Sequence, residues 1–309
     1  METAESPAAQ GPARIRVGTA SWADKSLVAS KRFYPPGCST PEKRLRYYAT
    51  QFELVEIDSP FYAMPTPANS EAWVARTPDD FVFNIKAFRL FTGHQTPPTS
   101  LPRDILAAAG PPRGGRNYFY RDFPAELRDE LWRRYFLALA PLQRAGKLRL
   151  VLTQFPHWIH NSREGRAHVE HVVNRLEGCT VATEFRHASW YGSSRAAASA
   201  LDFETALGAV HVTVDEPQGG PDSIPAVWES PREDLQLVRL HGRNVESWSA
   251  TAGAASGRFD YEYSADELAQ IAAEIKRLKA REVHVVFNNC FEDQGQRNGR
   301  QMRALLAQI

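Results

Sequence analysis

The sequence predicts an α/β chain folded as one closed (β/α)8 barrel of the TIM type, on three observations. Eight short apolar runs recur along the 309 residues, each of strand length and bounded by polar or turn residues. Most are followed by a helical pattern with its own start signal. Glycines stand between helix and next strand at Gly146, Gly178 and Gly208, where a left-handed stop is wanted. Parallel strands alternating with helices in this number close into a barrel.

The apolar runs cover residues 15–22, 54–62, 81–88, 148–156, 180–187, 209–215, 235–242 and 282–289. Thr40-Pro41 and Thr66-Pro67 place a capping hydroxyl before a proline suited to the first helical turn. Ser264 and Glu267 match a capping box ahead of a helix that ends near Lys279. Two long loops break the rhythm, after the third strand (92–123, with a short helical piece at 104–109) and after the sixth (217–231). Long loops after barrel strands lie over the active face. Residues 1–14 read as a loose tail rich in Ala, Pro and Glu, and residues 15–309 as the barrel domain.

Composition is ordinary for a globular chain, 43% hydrophobic and 24% charged. The formal charge of +1 gives no global field to draw in nucleic acid or membrane. Arg113, Arg116 and Arg121 in the long loop are the feature that would suit nucleic acid, and a solvated loop is the commoner reading of them. Cys38, Cys179 and Cys290 are far apart and form no C-x-x-C pair, so free thiols are expected. No apolar run is long enough to span a bilayer, and the expectation is a cytoplasmic protein.

Side chains alternate along a strand, so parity selects those that face the barrel axis. Val55 and Ile57 facing the helices send Glu56 and Asp58 inward, and the same test leaves Asn84 and Lys86 inside. Gln154 follows Leu150 and Leu152, and Glu184 and Arg186 point inward on the fifth strand. On the sixth, His211, Thr213 and Asp215 are assigned to the inner face, opposite Val210, Val212 and Val214. Arg239, His241, His284 and Asn288 complete the set, with His211 and His284 deep enough in their strands to read as structural. Burying this many charges is costly unless they pair or meet a ligand. Trp22, Phe61, Tyr62, Trp158, Trp190 and Trp248 lie at or beyond strand ends and could form a ring of stacking surfaces, with Phe61 and Trp190 better read as loop packing.

The same stretches carry a resemblance. VGTASW at 17–22, FYPPG at 33–37, VEIDSPFY at 55–62 and FNIKAF at 83–88 are joined by TEFRHASW at 183–190, VRLHGR at 238–243 and VVFNN at 285–289. Together they resemble the domain-of-unknown-function-72 family, also called YecE-like proteins, from residue 15 onward. The resemblance implies a (β/α) barrel and no particular reaction.

The residues themselves favour acid–base chemistry on a polar anionic small molecule bearing phosphate or carboxylate. Lys86, Arg186, Arg239 and Arg243 would clamp the anion. Glu184, Asp215, His241 and Glu56 would move protons. Gln154, Asn288, Tyr62 and Trp22 would orient neutral groups. No cofactor is called for. A divalent-metal phosphoesterase or sugar isomerase, of the endonuclease-IV or xylose-isomerase kind, would instead use Glu56, Glu184, Asp215 and His241 as ligands. Against it, inward Arg and Lys compete with a cation for those carboxylates. A non-catalytic ligand-binding barrel is the third reading.

Overall fold

A computed structural model describes residues 13–112, 115–218, 223–248 and 259–307. Eight parallel strands form one closed barrel in sequence order: β1 Arg14–Ala20, β2 Leu54–Ile57, β3 Val82–Lys86, β4 Leu148–Gln154, β5 Val181–Glu184, β6 Val210–Asp215, β7 Leu235–Leu240 and β8 Glu282–Phe287. Each begins within one residue of its apolar run and stops two to five residues earlier, except β6, whose last residue matches. On β2 the difference is largest, because Ser59–Tyr62 turns into a short helix directly after Asp58. Most of the expected N-terminal tail lies outside the described residues.

The helix starts are those the sequence marks. Thr40 accepts from the Lys43 backbone N–H at 3.2 Å. Thr66 closes a capping box with Asn69, and Ser264 closes one with Glu267. The long loop after β3 carries the short helix Arg103–Ala109, and no helix is described between residues 223 and 231 after β6. Of the stops, Gly146, Gly178 and Gly208 have φ of 66°, 83° and 64°, conformations that only glycine adopts cheaply. No described helix is long and apolar enough to cross a membrane. The three cysteines are free.

Strand register fixes which residues share the barrel interior, because paired residues point the same way. Ala20 pairs with Glu56, Gln154 with Glu184, and Val214 with Arg239. Ala182 pairs with Val210, so Val210, Val212 and Val214 face inward. This corrects the sixth strand: His211, Thr213 and Asp215 face the helices. His211 meets the buried Glu204 of helix Ser194–Ala206 at 2.9 Å, and Thr213 donates to the Val227 carbonyl. A valine face suits a barrel interior as well as a helix interface, so parity alone did not separate the two.

Candidate functional site

At the C-terminal ends of the strands, Arg239 on β7 stands at the centre of the interior and is fully buried. Its Nε lies 3.1 Å from both oxygens of Glu56, and its Nη2 is 2.5 Å from Glu56 Oε1. Its Nη1 donates to Glu184 Oε2 at 2.5 Å and lies 3.3 Å from His241 Nε2. The guanidinium is therefore occupied on both edges. The sequence expectation that Arg239 clamps a ligand gives way to a different role: it ties two carboxylates together.

Those carboxylates differ in proton affinity. Glu56 is pushed up to about 7, because burial and the nearby Asp58 outweigh the pull of Arg239 and Lys86. Glu184 is equally buried, yet Arg239, His241 and Arg186 hold it well below the usual carboxylate range. Gln154 also donates to Glu184 at 2.5 Å. Burial brings the His241 imidazole down to about 3, so it is neutral, and the Asn288 side-chain amide lies 2.7 Å from its Nδ1.

Arg186 bridges Glu184 at 3.2 Å and Glu216 at 2.8 Å, with its guanidinium over the Trp248 ring. Glu216 is the inward acid of the sixth strand's end, in the position the sequence reading gave to Asp215. Its signal was available: it continues the parity of Val210, Val212 and Val214. Asp215 instead accepts from Tyr263 at 2.7 Å and from Arg243 at 2.7 Å, and Arg243 reaches on to Glu267 of helix Ala265–Arg277. The structure thus separates Asp215 and Arg243 from the central cluster and joins them to the helix layer.

Lys86 behaves differently from the other cations. It is 7% exposed, its Nζ stands 3.8 Å from Asp58, and it has no hydrogen bond among the described residues. It lies over the Phe61 ring at 4.5 Å, and Arg89 lies over the same ring at 5.2 Å. The Arg89 Nε is buried without a partner among the described residues. Burial lowers His94 to about 3, with help from Lys86, Arg89, Arg186 and His157. Arg89 and His94 were missed because they lie beyond β3, where strand parity no longer predicts direction.

The aromatic residues divide. Trp190 stacks on Phe185 at 3.7 Å in the core, and Trp22 packs edge-on against Trp73. Phe61 is buried beneath the two cations. Tyr62 is 54% and Trp158 39% exposed, so these two remain open to a ligand. Arg113 lies outside the described residues, Arg116 is exposed, and Arg121 sits over Phe119.

For a divalent ion, the expected ligands Glu56, Glu184 and His241 converge on the Arg239 guanidinium, and Asp215 faces elsewhere. Among the described residues no group of three or more His, Cys, Asp or Glu is arranged to hold a metal ion. This donor set does not fit the metal-dependent expectation.

A closed parallel barrel with buried polar residues at its C-terminal strand ends defines a TIM-type barrel protein, a fold often associated with enzymes. Residues 16–309 match the family described as protein of unknown function DUF72, and the chain belongs to that family. The UPF0759 protein YunF of Bacillus subtilis (strain 168) is 32% identical over 297 residues, 94% of each chain. A crystal structure of a DUF72 family protein from Enterococcus faecalis V583 matches with a TM-score of 0.76 at 25% identity, covering 96% of both chains. Another, from Thermotoga maritima MSB8, matches at TM-score 0.71 and 24% identity over 96% of this chain and all of that one, and speaks to the fold alone.

Proposed function

We propose that this barrel binds a phosphate- or carboxylate-bearing small molecule at Lys86 and Arg89 and carries out acid–base chemistry on it with Glu56 and Glu184. The observation that carries the reading is the Lys86 side chain, buried and paired with Asp58 at 3.8 Å, whose ammonium makes no hydrogen bond among the described residues. A buried charge is costly unless it is both paired and hydrogen-bonded, and an anionic ligand would supply the missing hydrogen bonds. Arg89, with its idle Nε over the same ring, extends that demand.

The two carboxylates suit proton transfer because their environments push their proton affinities apart. Glu56, near 7, holds or releases a proton at neutral pH. Glu184 stays ionised and, with Arg239, balances charge that develops nearby. Neutral His241 and Gln154 orient the same carboxylate. Tyr62 and Trp158 offer open ring faces to the body of the ligand.

Calorimetric titration with inorganic phosphate and with a small dicarboxylate tests the binding half. Saturable binding of at least one, weakened roughly tenfold or more by Lys86→Met, is expected from losing a charge-assisted contact. Dicarboxylate binding that ignores both Lys86→Met and Arg89→Met, or no binding of either ligand, would sink the assignment. With a turned-over ligand in hand, Glu56→Gln should keep affinity and lose activity by roughly a hundredfold or more. A barrel that only carries its ligand would show a change in affinity alone.

A further inference from the structure

Outside the barrel mouth, a cavity of about 440 Å3 opens between the loops that follow β4 and β5. Arg163, Arg166 and Arg195 line it with Ser193 and Ser199, and no Asp or Glu does. Arg166 is held in place from several sides. Its Nε donates to Asn161 Oδ1 at 2.7 Å, its Nη2 donates to Ser199 Oγ at 2.8 Å and to the Ser199 carbonyl at 3.2 Å, and its plane lies over Phe203 at 4.7 Å. Its Nη1 has no hydrogen bond among the described residues. Arg163 and Arg195 have no hydrogen bond or ion pair of their side chains among the described residues either.

Two helices, Arg163–Arg175 and Ser194–Ala206, begin at this cavity. Ser162 and Ser193 already cap them, at 3.1 Å to the Gly165 N–H and 3.2 Å to the Ala196 N–H. The guanidinium groups, not the helix ends, therefore carry the free donors. Some arginines elsewhere on the surface are paired, Arg134 with Asp104 and Glu130 and Arg175 with Asp129. Others, such as Arg103 and Arg116, are exposed without an ion pair among the described residues. What sets this group apart is that three guanidinium groups share one concavity. Glu164, next to Arg163 in sequence, accepts from the Ser162 hydroxyl at 3.2 Å and does not line the cavity. One braced guanidinium flanked by two uncompensated ones in a concavity is an arrangement that anions satisfy.

We infer that this cavity is a second, peripheral binding site for a phosphate group, held by Arg163, Arg166 and Arg195 with the Ser199 hydroxyl beside them. Donors from three side chains on two helices suit the oxygens of a tetrahedral phosphate better than one planar carboxylate edge. The site is independent of the barrel mouth, since none of its residues contacts Lys86 or Glu56. A free phosphate ion and the phosphoryl group of a small ester share this chemistry.

Calorimetry with inorganic phosphate on the Lys86→Met protein, with Arg89→Met added to silence the mouth, isolates this cavity. Saturable binding is expected there, weakened roughly tenfold or more when Arg163→Ala and Arg195→Ala are added. Arg166→Lys should also weaken it, because an ammonium cannot keep both the brace and the free edge. Arg163 and Arg195 are exposed and make no side-chain hydrogen bond or ion pair among the described residues, so the melting temperature without phosphate should stay unchanged. Running the same titration with glycerol phosphate separates the two sources: tighter binding of the ester marks a small-molecule site, equal binding a site for the ion. Absence of saturable binding to the Lys86→Met/Arg89→Met protein, or equal affinity in the Arg163→Ala/Arg195→Ala background, overturns the inference and leaves a solvated arginine cluster.

Discussion

Arg239 meets Glu56 on one edge and Glu184 on the other, wholly out of water. Replacing it with Met leaves two carboxylates facing each other in the interior, an arrangement that costs about 3–5 kcal/mol. Urea denaturation of Arg239→Met should register that loss; a change below about 1 kcal/mol would mean the pair is solvated after all. Glu56 predicts a pH effect of definite sign. Its folded-state value is raised from 4.5 to about 7, so the folded chain binds more protons than the unfolded one across that window. Stability should therefore fall as pH rises from about 4.5 to about 7. Glu184 acts oppositely: its contribution is full above 4.5 and is lost as pH falls toward its lowered value. The Glu56→Gln protein should lose the first slope and keep the second. At this scale the sequence placed Glu56, Lys86, Glu184, Arg186, Arg239 and His241 together correctly, because each sits on or next to a strand of clear parity. It could not show that Arg239 would be saturated, since saturation depends on which strands lie opposite one another across the barrel.

The strands and helices were legible because their signals are local. Thr66, Ser264 and Gly178 act within a few residues of themselves, and an eight-fold alternation has few closed solutions. The sixth strand resisted because both of its faces are buried, one against the axis and one against helix Ser194–Ala206. Only Glu204, a buried acid on the preceding helix, shows that His211 belongs outside. One close contact between elements yields its own prediction. A Cβ on Gly18 of β1 would lie 2.1 Å from the Leu54 carbonyl oxygen of β2, a backbone atom that cannot step aside. Gly18→Ala should thus prise the first two strands apart and cost about 1–3 kcal/mol or more. Thermal denaturation checks it, and an unchanged melting temperature would mean the β1–β2 seam is looser than its register implies.

Across the whole molecule the barrel holds buried polar groups toward both ends of its strands. Toward the strand starts, Glu282 ties Arg16 at 3.0 Å, Arg149 at 2.9 Å and His284 at 2.9 Å. Toward the strand ends lies the Glu56–Arg239–Glu184 cluster beneath Lys86 and Arg89. Asn84, paired in register with Glu56, links the two ends through His284 at 3.1 Å. In this architecture the starting face serves stability and the ending face serves chemistry. Glu282→Gln should accordingly lower the melting temperature while leaving phosphate affinity at the mouth intact, and Lys86→Met should do the reverse. Equal effects of the two substitutions on affinity would erase that division. Carbon NMR of the Glu56 carboxyl across a pH series, assigned with Glu56→Gln, shows whether Glu56 carries a proton beneath an anion-binding mouth. A midpoint near 7 is expected, rising when phosphate is added because the anion disfavours a second negative charge close by. A midpoint at the ordinary 4.5, unmoved by phosphate, would contradict a proton-carrying Glu56.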